Sequence, residues 1–271
     1  MKFSVLIPVY IKETPTFFKS ALDSILHQTV MPEEIVIVAD GPLTAELDSM
    51  LREYAIRQPE IFTIVRLPEN KGMGYAMDTG VKMCRNEWIA RMDSDDIALT
   101  SRFEKQVAYL QKHPEVDILG AAIEEFMETP GDLSRQRNVP EKHDQIRQYM
   151  KLRSPMNHMT VLFRKKSVLA AGSYWHKRSL EDYHLWYQMM MHGATFHNLP
   201  EVLVYARVGN DMVGRRKGLD YIKQELDFFR IMRRTKFISA WEFYKFSMVR
   251  TGVRMLPKKI LEIVYKRVLR K

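Results

Sequence analysis

Short β-branched apolar runs alternate with amphipathic stretches through the first 121 residues, and this alternation limits the fold more than any other feature. Residues 3–9, 35–39, 62–67, 87–92 and 116–121 are too short for stable helices and too apolar for a surface, so each reads as a buried strand. Residues 15–28, 43–57, 73–85 and a segment from Thr100 or Ser101 to Lys112 read as helices. Thr14 is placed to cap the first of them, with Pro15 at its opening position, and Pro114 stops the last. The order predicts an α/β fold: a Rossmann-like, mostly parallel, doubly wound sheet with flanking helices and right-handed crossovers.

In open sheets of this kind ligands bind beyond the carboxyl ends of the strands. Three strand ends belong on that edge: Pro8-Val9-Tyr10, Asp40-Gly41 and Asp93-Ser94-Asp95-Asp96. Carboxylates packed as in the last of these repel one another, and a divalent cation offsets the cost. A turn leading into a helix also favours Asp and Ser, so the quartet alone leaves both readings open. Asn70-Lys71-Gly72-Met73-Gly74 precedes a helix, where small residues let backbone approach an anion. It lacks the third glycine of a dinucleotide fingerprint and follows the third strand rather than the first.

The second half is less regular. Residues 159–163, 195–199 and 202–207 read as short strands. Glu181-Asp182 opens a helix that stops at Gly193, and 219–234, 239–256 and 258–270 read as helices, the last two parted at Pro257. A length of 271 residues with 46% apolar content suits one large domain, or a domain with an appendage. The single cysteine, Cys84, allows no internal disulfide, fits a reducing compartment and reads as a core thiol. No secretion signal or bilayer-length apolar run is visible, so a cytoplasmic protein is expected.

Charge is unevenly placed. From Lys245 onward nine basic residues face only Glu262, so this end carries +8 of the net +9. Residues 257–271 combine Ile260, Leu261, Val264 and Val268 with Lys258, Lys259, Lys266, Arg267, Arg270 and Lys271, which suits an anionic membrane surface. A helix packed on its own domain with a solvated basic face gives the same pattern. A nucleic-acid partner is not expected, because it leaves the acidic constellation unexplained.

Taken in order, these features resemble the inverting glycosyltransferases of family 2, which have the GT-A fold. The resemblance rests on the opening strand to Tyr10, Gln28-Thr29, Val38 to Gly41, Asn70 to Gly72, the Asp quartet, Arg102 and Gln106, and Glu181-Asp182 with Leu185-Trp186. It covers residues 1–210, with a nucleotide-binding half at 1–121 and an acceptor half at 122–210; residues 211–271 form a helical, basic C-terminal appendage.

The resemblance implies a role for each position. Pro8, Val9, Tyr10 and Asp40 hold the base, and a carboxylate that accepts the N3–H of uracil or thymine favours a UDP- or dTDP-sugar. Lys71 and Gly72 contact nucleotide or phosphate. In Asp93-Ser94-Asp95, Asp93 lies by the ribose and donor sugar and Asp95 ligates Mg²⁺ or Mn²⁺, with Asp93 a second candidate ligand. Asp96 contacts the sugar or caps the next helix. Asp182 is the general base and Glu181 orients the acceptor.

Residues 155–160 and 205–218 resemble a narrower group that builds bacterial capsule, exopolysaccharide or O-antigen on polyprenyl-diphosphate-linked saccharides, at the inner face of the cell membrane. Within them His158 contacts the acceptor or is a hydrogen-bonded structural histidine. Arg207, Arg215 and Arg216 meet phosphates or are surface charge. No histidine follows Arg207 as a metal ligand, which departs from many GT-A members. The alternatives are a sugar-1-phosphate nucleotidyltransferase, which normally carries a glycine-rich loop absent from residues 8–15, and a non-catalytic binding protein on the same fold.

Overall fold

The strands of the amino-terminal half are apolar on both faces because helices cover both sides of the sheet they enter. The computed structural model describes residues 1–177, 179–209 and 219–255. In it β1 (Phe3–Val9) and β2 (Glu34–Ala39) are buried along their whole length. Their alternate residues part to two cores. Val5, Ile7, Val9, Ile35 and Ile37 enter one, and Leu6, Val36 and Val38 the other. Full burial of one such side chain contributes about 1.5–3 kcal/mol. Helices α1 (Pro15–Leu26) and α2 (Ala45–Arg57) close the first core with Phe18, Leu22, Leu47 and Leu51. Helix α3 (Met73–Met83) closes the second with Ala76, Met77 and Val81.

β3 (Phe62–Arg66) pairs with β2, and β4 (Trp88–Arg91) with β1. Every pairing in this β3-β2-β1-β4 half is parallel, so the ends of β1, β2 and β4 share one edge as expected.

Beyond β4 the sheet becomes mixed. The order continues through β8 (Leu162–Arg164), β6 (Ile118–Phe126) and β9 (Phe196–Arg207) to β5 (Ile97–Ala98), with β7 (Arg135–Arg137) on β6. Only β6–β9 is parallel here; β4–β8, β6–β8, β5–β9 and β6–β7 are antiparallel. A sheet read as mostly parallel is therefore parallel in its amino-terminal half and mixed in the other. The two strands read at 195–199 and 202–207 are one strand, β9, whose register against β6 shifts at Ala121/Ala122 and Ala122/Ile123. That irregularity absorbs Pro200-Glu201 without ending the strand. The strand read at 159–163 begins instead as a 3-10 turn, His158–Thr160, because Thr160 Oγ1 donates to the Asn157 carbonyl at 2.8 Å.

Helices α4 (Arg102–Lys112), α5 (His143–Met150), α6 (Lys165–Ala170) and α7 (Glu181–Met191) complete the body around the sheet. Helices α8 (Leu219–Arg234) and α9 (Ala240–Met255) follow. α8 buries Phe228, Phe229 and Met232 in the core that holds Tyr183 and Trp186 of α7. The carboxy-terminal appendage, as far as it is described, is thus packed on the body. Residues 257–271 lie outside the described residues.

Candidate active site

The Asp quartet turns the chain from the central strand β4 to β5, which is laid against β9. Five residues, Met92 to Asp96, join the two strands. Oxygens of Asp93, Asp95 and Asp96 all lie within 4.8 Å of one another. Asp96 is buried, and Asp93 and Asp95 are half-buried. Arg91, itself buried, pairs with Asp93. Burial lowers the Arg91 pKa, but the Asp93 charge outweighs that and holds it above the ordinary arginine value.

Burial, Asp93 and Glu13 push the Asp95 carboxyl up to about 7. Burial, Asp93 and Asp95 push Asp96 well above the usual carboxylate range. The cluster thus holds more negative charge than its neighbours neutralise. Asp96 Oδ2 is buried with no hydrogen-bond partner. An orphaned carboxylate oxygen beside two further carboxylates is a donor set suited to a hard divalent cation, so these three residues fit Mg²⁺ or Mn²⁺.

Asp96 does not cap a helix, since α4 begins only at Arg102. Its Oδ1 accepts the Arg207 amide at 2.7 Å. The Arg207 side chain continues the brace: Nε donates to the Asp95 carbonyl at 3.1 Å and Nη1 to the Met127 carbonyl at 2.9 Å. Its guanidinium lies over the rings of Phe17 at 3.8 Å and Phe126 at 4.4 Å. An arginine anticipated at a phosphate, or as surface charge, is committed here to the backbone of the carboxylate turn. Arg215 and Arg216 lie outside the described residues.

Behind the turn stands a buried polar frame. Arg102 Nη2 donates to the Arg91 carbonyl at 2.7 Å, and Gln106 Nε2 to the Thr160 carbonyl at 2.8 Å. Burial and Arg91 push the Arg102 pKa down to about 9. Gln28 Oε1 accepts the Phe103 amide at 3.2 Å, so a side chain from the end of α1 caps α4; its own N-cap residue, Ser101, makes no such bond. Gln28, Arg102 and Gln106 therefore hold the site from behind.

Pro8 and Val9 are buried at the end of β1, and Tyr10 beyond them is exposed. Asp40 is buried too, and its carboxylate organises the neighbouring loop. Oδ1 accepts the Lys71 amide at 2.7 Å and Oδ2 the Gly72 amide at 2.9 Å. Gly41, at φ +88°, is required: a Cβ there would lie 2.7 Å from the Asn70 nitrogen. Lys71 is exposed, with its ammonium 4.8 Å from the Tyr75 ring centre. Ser94 donates to Glu13, which reaches the quartet from the loop after β1.

Glu181 and Asp182 open α7. Ser154 Oγ donates to Asp182 Oδ2 at 3.2 Å. A Cβ on Gly74 would sit 2.0 Å from the Trp175 carbonyl oxygen and 3.5 Å from Glu181 Cβ. Glycine at this position lets the start of α3, and with it the Asp40-bound loop, approach the acidic pair. Tyr174 is buried within electrostatic reach of both clusters. Burial first, then the charges of Asp182, Glu181 and Asp93, hold its pKa well above 10 against the opposing effect of Arg91. Its hydroxyl meets His158 Nε2 at 2.8 Å. Burial, then Arg91, hold His158 well below the usual histidine range, so it is neutral. His158 is thus hydrogen-bonded within the fold, one of the two forms expected for it.

Glu13, Ser154 and Tyr174 went unrecognised in the sequence. Only Glu13 had a visible signal, as an acid just after the first strand end; the other two stand in irregular segments.

A family model described as "Glycosyl transferase family 2" matches residues 4–169. The chain is 40% identical over 268 residues to the amylovoran biosynthesis glycosyltransferase AmsE of Erwinia amylovora, covering 98% of each. It is 36% identical over 270 residues to a UDP-Gal:alpha-D-GlcNAc-diphosphoundecaprenol beta-1,3-galactosyltransferase of Escherichia coli, covering 100% of this chain and 97% of that one. Among solved structures it resembles S. aureus TarS 1-349 in complex with UDP-GlcNAc, with TM-score 0.68 and 20% identity over 86% of this chain and 67% of that one. It also resembles the mannosyltransferase PcManGT of Pyrobaculum calidifontis in complex with GDP-Man and Mn²⁺, with TM-score 0.64 and 17% identity over 98% and 79%. At these identities the two structures establish a shared fold.

Proposed function

The chain belongs to glycosyl transferase family 2, and from that premise we propose that it is an inverting, metal-dependent transferase of surface-polysaccharide synthesis. It moves a hexose or N-acetylhexosamine from a UDP- or dTDP-sugar to a hydroxyl of a polyprenyl-diphosphate-linked saccharide. It works at the inner face of the cell membrane. Membership sets aside the nucleotidyltransferase alternative, and relatives named as transferases over nearly the whole chain weigh against a non-catalytic binding protein. The relative whose name specifies UDP-Gal and a diphosphoundecaprenol acceptor supports both substrate classes. Among the described residues no helix is long and apolar enough to cross a membrane.

The observation that carries the reading is a pair of acidic groups whose charges both reach buried Tyr174. One is a three-carboxylate cluster with an orphaned oxygen; the other is Glu181-Asp182. Asp93, Asp95 and Asp96 would hold Mg²⁺ or Mn²⁺. Bound there, the ion supplies charge neutralisation for a leaving diphosphate. Asp40, with the 70–72 loop it organises, receives the base beside Pro8, Val9 and Tyr10. Asp182 takes the proton of the acceptor hydroxyl as that oxygen attacks the anomeric carbon. The bond from that carbon to the diphosphate oxygen breaks, and the leaving group departs with the electron pair. One displacement inverts the centre, so an α-linked donor yields a β-linkage. Ser154 holds Asp182 oriented, and Glu181 positions the acceptor.

The test is transfer from a panel of UDP- and dTDP-sugars to a synthetic GlcNAc-diphosphate-lipid, with Mn²⁺ and after chelation, read by product mass. Metal-dependent addition of one sugar is expected. Transfer undiminished by exhaustive chelation would remove the metal from the account.

A further inference from the structure

Helix α9 leaves an apolar stripe uncovered. Trp241 is 74% exposed, Tyr244 56% and Met248 76%, and their spacings of three and four put them on one face. Val249 and Gly252 extend the exposed surface. Large exposed apolar side chains in contiguous array mark interaction surfaces.

The surroundings indicate what covers this one. Arg233, Arg234 and Lys236 at the end of α8, and Lys245 on α9 itself, are all exposed. The Arg233 guanidinium lies 5.6 Å from the Tyr244 ring centre. Glu242, the acid of this region of α9, is occupied by Lys151 at 3.0 Å. The chain after Met255 adds six lysines and arginines against one glutamate. An apolar stripe of Trp, Tyr and Met with a basic rim suits an anionic lipid surface, where aromatic residues with a polar edge settle at the headgroup level. A second copy of this chain would bring the same positive rim against itself.

The same helix touches the turn that serves Asp182. Lys151 pairs with Glu242, and Arg250 Nη2 donates to the Leu152 carbonyl. Two residues on, Ser154 donates to Asp182. We propose that α9 docks on an anionic bilayer through Trp241, Tyr244 and Met248, and that the 151–154 turn places Asp182 in fixed relation to that surface. Resting on the lipid-linked acceptor proposed above, this deepens it: the lipid chain stays in the bilayer while its saccharide reaches the base.

The experiment uses the full chain and a W241S/Y244S/M248S variant, all three positions being exposed and outside the proposed catalytic groups. Sedimentation with vesicles of phosphatidylcholine, with and without phosphatidylglycerol, is read beside donor hydrolysis in solution. The wild type should bind the anionic vesicles. The variant should bind them at least tenfold more weakly, with donor hydrolysis unchanged. Equal binding by the two proteins would overturn the proposal. So would a wild-type dimer that the substitutions dissociate, which would make a second copy the occupant. Shielding of Trp241 from acrylamide in the lipid-free protein, taken as the difference from Trp241→Phe, would show the stripe covered by its own chain and also overturn it. Vesicle binding that is intact while no lipid-linked acceptor is glycosylated would leave the docking surface standing and remove only the acceptor reading.

Discussion

The two acidic centres are held very differently. The carboxylate turn is braced by several partners, although Asp96 Oδ2 is left without one. Arg91 pairs with Asp93, the Arg207 backbone bonds Asp96, and Arg207's side chain bonds the Asp95 carbonyl between two aromatic rings. Asp182 stands at the first turn of a helix, with a hydroxyl from an irregular turn as the hydrogen-bond partner of its Oδ2. On the proposed reading, the braced side receives the donor and the side held by the Ser154 hydroxyl receives the acceptor. On the same reading, preorganised charge would stand where the leaving group forms.

Breaking each side separately sharpens the contrast. Asp182→Asn should lower transfer by roughly 10²–10⁴-fold, the range for loss of a positioned base. Folding should be unaffected, since a neutral amide still accepts from Ser154. Asp95→Asn should lower transfer by about 10²–10³-fold, comparable to removing a preorganised transition-state contact. Unlike the first variant, it should also abolish metal-promoted binding of UDP, measured by calorimetry. Arg207→Ala removes the brace on the carboxylate turn. It should weaken Mn²⁺ binding several-fold and lower the melting temperature, because it leaves the carbonyls of Asp95 and Met127 without this donor at a cost of about 1–3 kcal/mol each where buried.

The smallest effect is a pH dependence on the acceptor side. His158 and His184 are both neutral in the fold. Burial, then Lys177, push His184 down to about 4, and burial and Arg91 hold His158 well below its usual range. The unfolded chain takes up protons at these positions below pH about 6.5, and the folded chain does not. Their stability contribution is therefore full above that pH and is lost as pH falls toward 4. Urea denaturation at pH 7.5 and 5.5 should show a loss on the order of 1 kcal/mol per histidine, and His184→Gln should flatten the slope.

Legibility in the sequence follows the same divide. The parallel half was readable because strands buried on both faces are unbroken apolar runs, and their shared edge then groups Tyr10, Asp40 and the Asp quartet. The mixed half was not. β5 has two residues and β7 three, too few for any period to show. Pro200 inside β9 argued for two strands where a bulge permits one. Gln28, Arg102 and Gln106 were visible as motif members, but their work as a buried frame depends on contacts between α1, α4 and the 157–160 turn that no local pattern encodes. Arg207 was visible as a cation; that its charge is spent on the backbone of the turn is a tertiary fact. Tyr174 and Ser154 lie in irregular loops, where neither period nor capping chemistry marks a residue as central.

The division of labour between the two centres is tested most directly by titrating UDP into the wild type, Asp95→Asn and Asp182→Asn, each with and without Mn²⁺, beside the transfer rate of the same preparations. The account predicts that Asp182→Asn keeps wild-type, Mn²⁺-promoted UDP binding while transfer collapses, and that Asp95→Asn loses both. Near wild-type transfer by Asp182→Asn, or loss of UDP binding in it equal to that of Asp95→Asn, would contradict it.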